Sequence, residues 1–115
     1  MAFSEYLAER VRQRLNGTYQ IEEKKMMGGL LFMVNDKMCI GVDIDKSTKG
    51  DRLMVRVGKL PYQQLLEKTG SRKMDFTGKE MRGFLFIDSE GFDSETDLDF
   101  WIEKALEFNT LIANT

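Results

Sequence analysis

The chain has no histidine. That removes the commonest general base, the Ser-His and Cys-His nucleophile pairs, and the zinc sites that need imidazole. What remains for chemistry is a lone cysteine, two groups of carboxylates and a pair of adjacent glycines. Cys39 would attack as a thiolate, and without histidine its activation needs an arginine, a lysine or a helix N-terminus beside it. It sits inside an apolar strand-like run instead, so the expected role is a packed thiol behaving as a small hydrophobe. The carboxylates Asp43 and Asp45 in DID, and Asp93, Glu95, Asp97 and Asp99 in DSETDLD, lack the glycine and distal glutamate of a calcium loop. They read as an acidic loop and a helix start. No catalytic residue, metal ligand or cofactor is expected.

The glycine pair lies in KKMMGGLLFMVNDKMCIGV, Lys24 to Val42. A phosphate cradle requires spaced glycines closing in Lys-Ser/Thr, followed by a helix whose N-terminus meets the anion. Here an apolar strand follows Gly28-Gly29, so the pair is expected to supply a bend or bulge between two strands, where positive φ or close backbone approach is needed. Gly41, Gly58 and Gly83 read likewise. Of the eight methionines, Met38 and Met54 are expected in the core. Met26 and Met27, on a polar strand, fit either a core or an adaptable surface.

The elements that must position these residues follow from periodicity. Phe3, Leu7, Val11 and Leu15 recur every four residues, with Glu5, Glu9, Arg10, Arg12 and Arg14 on the other faces, which predicts a helix capped near Ser4 and stopped at Gly17. Alternation is weak from Tyr19 to Met26. Leu30, Phe32 and Val34 then share one strand face, Asn35-Asp36-Lys37 turns the chain, and Met38, Ile40 and Val42 share a face of the return strand. A fourth strand follows in RLMVRVG, with Leu53, Val55 and Val57 in register. Pro61, Tyr62, Leu65 and Leu66 mark a short helix ending by Gly70. The segment SRKMDFTGKEM reads as loop, with a strand partner inside 69–81 as the variant; RGFLFID, Arg82 to Asp88, reads as a buried strand. Ser94 and Asp97 open a last helix with the apolar stripe Leu98, Trp101, Ile102, Ala105, Leu106 and Ile112. Leading hairpins without a βαβ alternation predict an α+β domain: an antiparallel sheet of about five strands with helices packed on one face.

At 115 residues, 42% apolar and 31% charged, the chain suits one domain able to bury its own core. No run approaches the roughly 20 apolar residues of a membrane span. Glu5 and Glu9 interrupt the N-terminus, and no signal-peptide core is present, so the expected location is the cytoplasm. The net charge of −2 hides an uneven distribution. Residues 1–45 carry 6 basic against 7 acidic groups, 46–82 carry 10 against 4, and 83–115 carry 1 against 8. The basic and acidic segments are expected to lie near each other and neutralise. Lys46, Lys49, Arg52, Arg56, Lys59, Arg72, Lys73, Lys79 and Arg82 scatter over loops and strands, unlike one nucleic-acid recognition element.

Taken in order, EKKMMGGLLFMVNDKMCIGV, LMVRVG, MDFTGKEMRGFLFID and DLDFWIEKALEF resemble the N-terminal domain of the TfoX/Sxy family of bacterial competence regulators. The most specific parts are Lys25, Met26, Met27, Gly28 and Gly29, where Met27 stands for the usual phenylalanine; Arg56, Val57 and Gly58; and Met81, Gly83 and Phe84. The resemblance implies a secretion-chaperone-like α+β fold ordered helix, three strands, helix, two strands, helix, against four leading strands from periodicity. It implies a non-enzymatic regulatory module working through protein contacts. We therefore expect a single domain over residues 1–115 without the C-terminal helical domain of those regulators, a homodimer, and an unidentified protein partner, with no specific nucleic acid and no membrane. The alternatives are a nucleic-acid-associated regulator using the basic 46–82 segment, and a small-molecule-binding protein of unknown reaction.

Overall fold

Ser4 starts the first helix, α1 (Glu5–Leu15), by accepting a hydrogen bond at Oγ from the Leu7 amide at 3.2 Å. Leu7, Ala8, Val11 and Leu15 form its buried face, as the four-residue spacing predicts. The structure is a computed structural model that describes residues 3–16, 20–26, 28–76 and 79–113, with backbone alone at 75, 76, 79 and 80. Gly17, the expected helix stop, lies outside the described residues.

Four strands follow: β1 (Ile21–Met26), β2 (Gly29–Val34), β3 (Lys37–Ile44) and β4 (Asp51–Arg56). After the short α2 (Tyr62–Leu65) come β5 (Ser71–Phe76), β6 (Lys79–Asp88), a 3₁₀ turn at Ser89–Gly91 and α3 (Glu95–Ala113). The strands form one six-stranded antiparallel sheet in the order β1-β2-β3-β4-β6-β5. The architecture is the expected α+β fold with one strand more than about five. The four leading strands counted from periodicity are present, one more than the family resemblance implies. The faint alternation of β1 has a physical cause: it is an edge strand, nearly all exposed, and its charged residues Glu22 to Lys25 suit an edge that must not pair further. Arg12 on α1 holds it through a bidentate contact to Glu23 at 2.7 and 2.8 Å.

Two expectations need correction. The segment SRKMDF is not loop but the other edge strand, β5, paired to β6. Its polarity conceals it, since a strand with one free edge and one solvated face needs few apolar residues, and among its described side chains Met74 alone is fully buried. Met38 does not share a face with Ile40 and Val42. Asn35 and Asp36, at φ 53° and 67°, make the two-residue hairpin turn. Past it Met33 pairs with Met38, whereas Phe32 pairs with Ile40, which leaves Cys39 as the extra residue of a β-bulge. The bulge sends Cys39 and Ile40 both into the main core and turns Met38 to the opposite side, beside Met33.

All three helices cover one face of the sheet. There Leu7, Val11 and Leu15 of α1 and Leu98, Trp101 and Ile102 of α3 meet Phe32, Ile40, Leu53, Val55, Leu85 and Ile87. The Trp101 indole donates to the Gly91 carbonyl at 3.0 Å, and Ser94 caps α3 by accepting from the Asp97 amide at 3.1 Å. The other face carries a smaller cluster drawn from strands alone: Leu31, Met54, Met74 and Phe86, with Met33, Met38, Met81 and Phe84 partly buried against it. Met54 is thus a core residue, as expected, and the methionines largely line this second face. Asn109, buried on α3, donates to the Val34 carbonyl at 2.9 Å and accepts from the Asn35 side-chain Nδ2 at 3.0 Å, which fastens the helix to the β2–β3 turn. Among the described residues no helix is long and apolar enough to cross a membrane.

Candidate interaction site

β4 ends at Arg56, and the chain leaves it through Val57, Gly58, Lys59, Leu60 and Pro61 toward α2. Directly across the ladder, Arg56 pairs with Phe84 of β6, and the Gly83 carbonyl accepts from the amides of Val57 at 2.8 Å and Gly58 at 3.1 Å. Gly58 and Gly83 both hold positive φ, 85° and 93°, and their backbones lie against each other: a Cβ on Gly83 would stand 3.2 Å from the Gly58 carbonyl carbon. A Cβ on Gly58 would overlap the Phe108 ring of α3. Glycine at both positions therefore lets the helix ring rest on the crossing of two strands.

Around that crossing opens a cavity of about 530 Å³, within the size range of ligand sites. Its floor and walls are Val57, Gly58, Gly83, Phe84 and Phe108, and its rim is Lys59, Leu60, Pro61, Arg82, Lys104, Glu107 and Leu111. Lys104, Glu107, Phe108 and Leu111 fall on one side of α3 by their spacing of three and four residues. Leu60 is 98% exposed and Leu111 65%, so the apolar surface continues outward past the cavity. Arg56 lies over two rings, 5.3 Å from the centre of Phe84 and 5.4 Å from that of Phe108, and Arg82 lies 5.9 Å from that of Tyr62. Arg56, Lys59 and Arg82 form no ion pair among the described residues, while Lys104 stands 3.6 Å from Glu107.

The other arginines are engaged. Arg52 grips Asp43 through two bonds of 2.9 and 2.8 Å, and Arg72 bridges Asp45 at 2.8 Å and Asp88 at 2.7 Å. The Ser47 amide, with Arg72 and Arg52 adding to it, holds the Asp45 carboxyl below its ordinary range. Arg10 and Arg14 of α1 take Glu95, and Arg14 also takes Asp99. The expected neutralisation of the basic segment by the acidic one is thus partial. Arg72–Asp88 joins them, but the acidic start of α3 is matched by α1.

The residues singled out from the sequence divide between two ends of the sheet. Arg56, Val57, Gly58, Gly83 and Phe84 converge on the cavity. Met81 stands beside it on the second apolar cluster. Lys25, Met26, Gly28 and Gly29 lie at the opposite end, in the β1–β2 hairpin, where Met26 pairs with Gly29 and Gly28 holds φ 77°; Met27 lies outside the described residues. The pair leads into a strand rather than a helix, which is the geometry of a bend. Cys39 is buried, and burial pushes its thiol up to about 12, with nearby Arg56 opposing only weakly; such a thiol stays protonated and unreactive at neutral pH. Leu60, Lys104, Phe108 and Leu111 were not picked out by sequence pattern. Leu60 carries the one available signal, a single leucine between Lys59 and Pro61 that belongs to no apolar stripe.

The family model of the TfoX N-terminal domain matches residues 13–109 of this chain. No curated protein matches it. Among solved structures, it is similar to a crystal structure of a protein from Pseudomonas syringae determined by a structural genomics consortium. The TM-score is 0.61 at 13% identity, covering 89% of this chain and 95% of that one. At that identity the likeness speaks for the fold alone.

Proposed function

The chain belongs to the TfoX N-terminal domain family, and we propose that it is a small non-enzymatic regulatory module of one domain, residing in the cytoplasm and acting by binding another protein through the face around the Arg56–Phe108 cavity. One observation supports the reading above the rest. Leu60 and Leu111 stand exposed on the rim of an apolar cavity of about 530 Å³, where Arg56, Lys59 and Arg82 have no ion-pair partner among the described residues. Isolated surface leucines need no explanation, but a contiguous apolar patch with a charged rim is the anatomy of an interface. The nucleic-acid alternative is weakened because Arg52 and Arg72 are engaged with Asp43, Asp45 and Asp88. Homodimerisation belongs to the same proposal and rests on the sequence expectation. Two copies meeting through the cavity face would bring Arg56, Lys59 and Arg82 toward their own counterparts, so the dimer is expected to form through another surface.

The test is affinity capture from the source cell with the wild-type chain and with Leu60→Asp as paired baits. A protein held by the first and lost from the second supports the reading. Identical captures from both baits would sink it, because Leu60 is too exposed for its replacement to disturb folding. Light scattering on both baits checks the dimer, which the substitution should leave intact.

A further inference from the structure

Resting on the reading that this face binds a protein, we propose that its occupant is an acidic peptide segment that seats an apolar side chain in the cavity and sets a neighbouring carboxylate on Arg56 and Arg82.

Three observations select that chemistry. The cavity walls are the rings of Phe84 and Phe108 and the apolar turn at Val57-Gly58, so what enters must be apolar. The rim is mainly cationic: its one carboxylate, Glu107, stands by Lys104, while Arg56, Lys59 and Arg82 lack carboxylate partners among the described residues. A guanidinium lying over a ring keeps its N–H donors at the edge, directed in plane, where a carboxylate can accept two of them. What enters must therefore carry negative charge next to its apolar group. Finally, Leu60 and Leu111 extend the apolar surface beyond the cavity, at 98% and 65% exposure. A small amphipathic anion filling the cavity would cover only those parts of Leu60 and Leu111 that line it, whereas a peptide crossing the rim covers their outer surface as well. A second copy of the chain is disfavoured by like charge, and a nucleic acid would bring phosphates against two leucines.

Display panning of random twelve-residue peptides on the full chain tests this. With wild type, the selected pool should be enriched in Asp or Glu adjacent to Leu, Phe or Trp. Panning on an Arg56→Gln/Arg82→Gln double variant should lose the acidic enrichment. A peptide recovered from wild type should bind Leu60→Asp and Arg82→Gln roughly tenfold or more weakly, about 1.4 kcal/mol, with melting temperatures unchanged. Apolar peptides without acidic enrichment, still lost with Leu60→Asp, would overturn the acidic assignment and leave the interaction reading standing. Recovery of no peptide above background, with dodecanoate or oligo-dT stabilising the wild type instead, would overturn both.

Discussion

Replacing Gly28 and Gly29 separately by alanine distinguishes the two physical reasons for glycine in the β1–β2 hairpin. Gly28 holds φ 77°, and a Cβ there would meet nothing within 4 Å, so alanine is penalised by its backbone conformation alone, about 1–2 kcal/mol. For 115 residues, an unfolding entropy of about 2.1 cal/mol/K per residue makes 1 kcal/mol worth about 4 °C, so Gly28→Ala should lower the midpoint by about 4–8 °C. Asparagine tolerates the left-handed region, and Gly28→Asn should lower it by less. Gly29 is different. Its Cβ would overlap the Val42 carbonyl oxygen and stand 2.8 Å from the Asp43 Cβ. Neither neighbour can yield freely, because Val42 is in the β3 ladder and Asp43 is gripped by Arg52. Overpacking of this kind costs about 1–3 kcal/mol, so Gly29→Ala should melt about 4–12 °C lower, and Gly29→Val lower still. Calorimetry of the four variants beside wild type, repeated with a panel of nucleotides and inorganic phosphate, decides the matter. Wild-type melting of Gly29→Ala would refute the close-approach argument. A phosphate ligand that stabilises the wild type but not the variants would return the pair to anion binding.

Three other outcomes are expected. Cys39 should resist a thiol-specific disulfide reagent at pH 8 in the folded protein and react at once in denaturant, since burial raises its pKa to about 12; rapid native labelling would contradict its placement. Glu95 is held low chiefly by Arg14 and Arg10, Glu23 by Arg12, and Asp45 by the Ser47 amide. Because these folded pKa values lie below the unfolded ones, the stability they contribute is complete above the ordinary values of 3.8 and 4.5 and disappears as pH falls through the depressed ones. Melting temperature should therefore hold from neutral pH to about 5 and drop below about 4, less steeply in Arg14→Gln. Asn109→Ala removes two hydrogen bonds, to the Val34 carbonyl and from the Asn35 side chain, and should destabilise by about 1–3 kcal/mol in denaturant titration, with Asn109→Asp little better because a carboxylate cannot donate to the carbonyl.

What the sequence makes legible is local. The four-residue recurrence of Leu7, Val11 and Leu15 and the stripe through Leu98, Trp101 and Ile102 each record one buried helix face, and both helices stand where periodicity puts them. Leu30, Phe32 and Val34 record one strand face. The pattern then fails at Cys39, because a bulge inserts a residue and reverses the parity of Met38, and no residue type announces that insertion. It fails at β5 because an edge strand is not obliged to be apolar. The cavity was half visible. Arg56, Gly58, Gly83 and Phe84 were singled out, yet as pieces of separate motifs. The ring that joins them, Phe108, comes from α3, and only the packing of that helix over the two glycines makes a site. Asn109 was missed for a related reason: a polar residue on an apolar stripe is meaningful only through the carbonyl it finds on another element.

The strand order also predicts a sequence of events in time. From β1 to β4 every strand pairs with its successor in the chain, so this meander can zip from the Asn35-Asp36 turn with short loops to close. The β4–β6 ladder is different, since Phe84 reaches Arg56 only after α2 and β5 have been threaded out of the way. Its closure should lag, and until it closes β4 presents an unpaired edge bearing Leu53 and Val55. Substitutions in the Asn35-Asp36 turn should then slow refolding, whereas those in the β5–β6 hairpin should chiefly quicken unfolding. Refolding yield should fall with rising protein concentration, because an intermediate with β4 bare can pair with a second chain before β6 arrives.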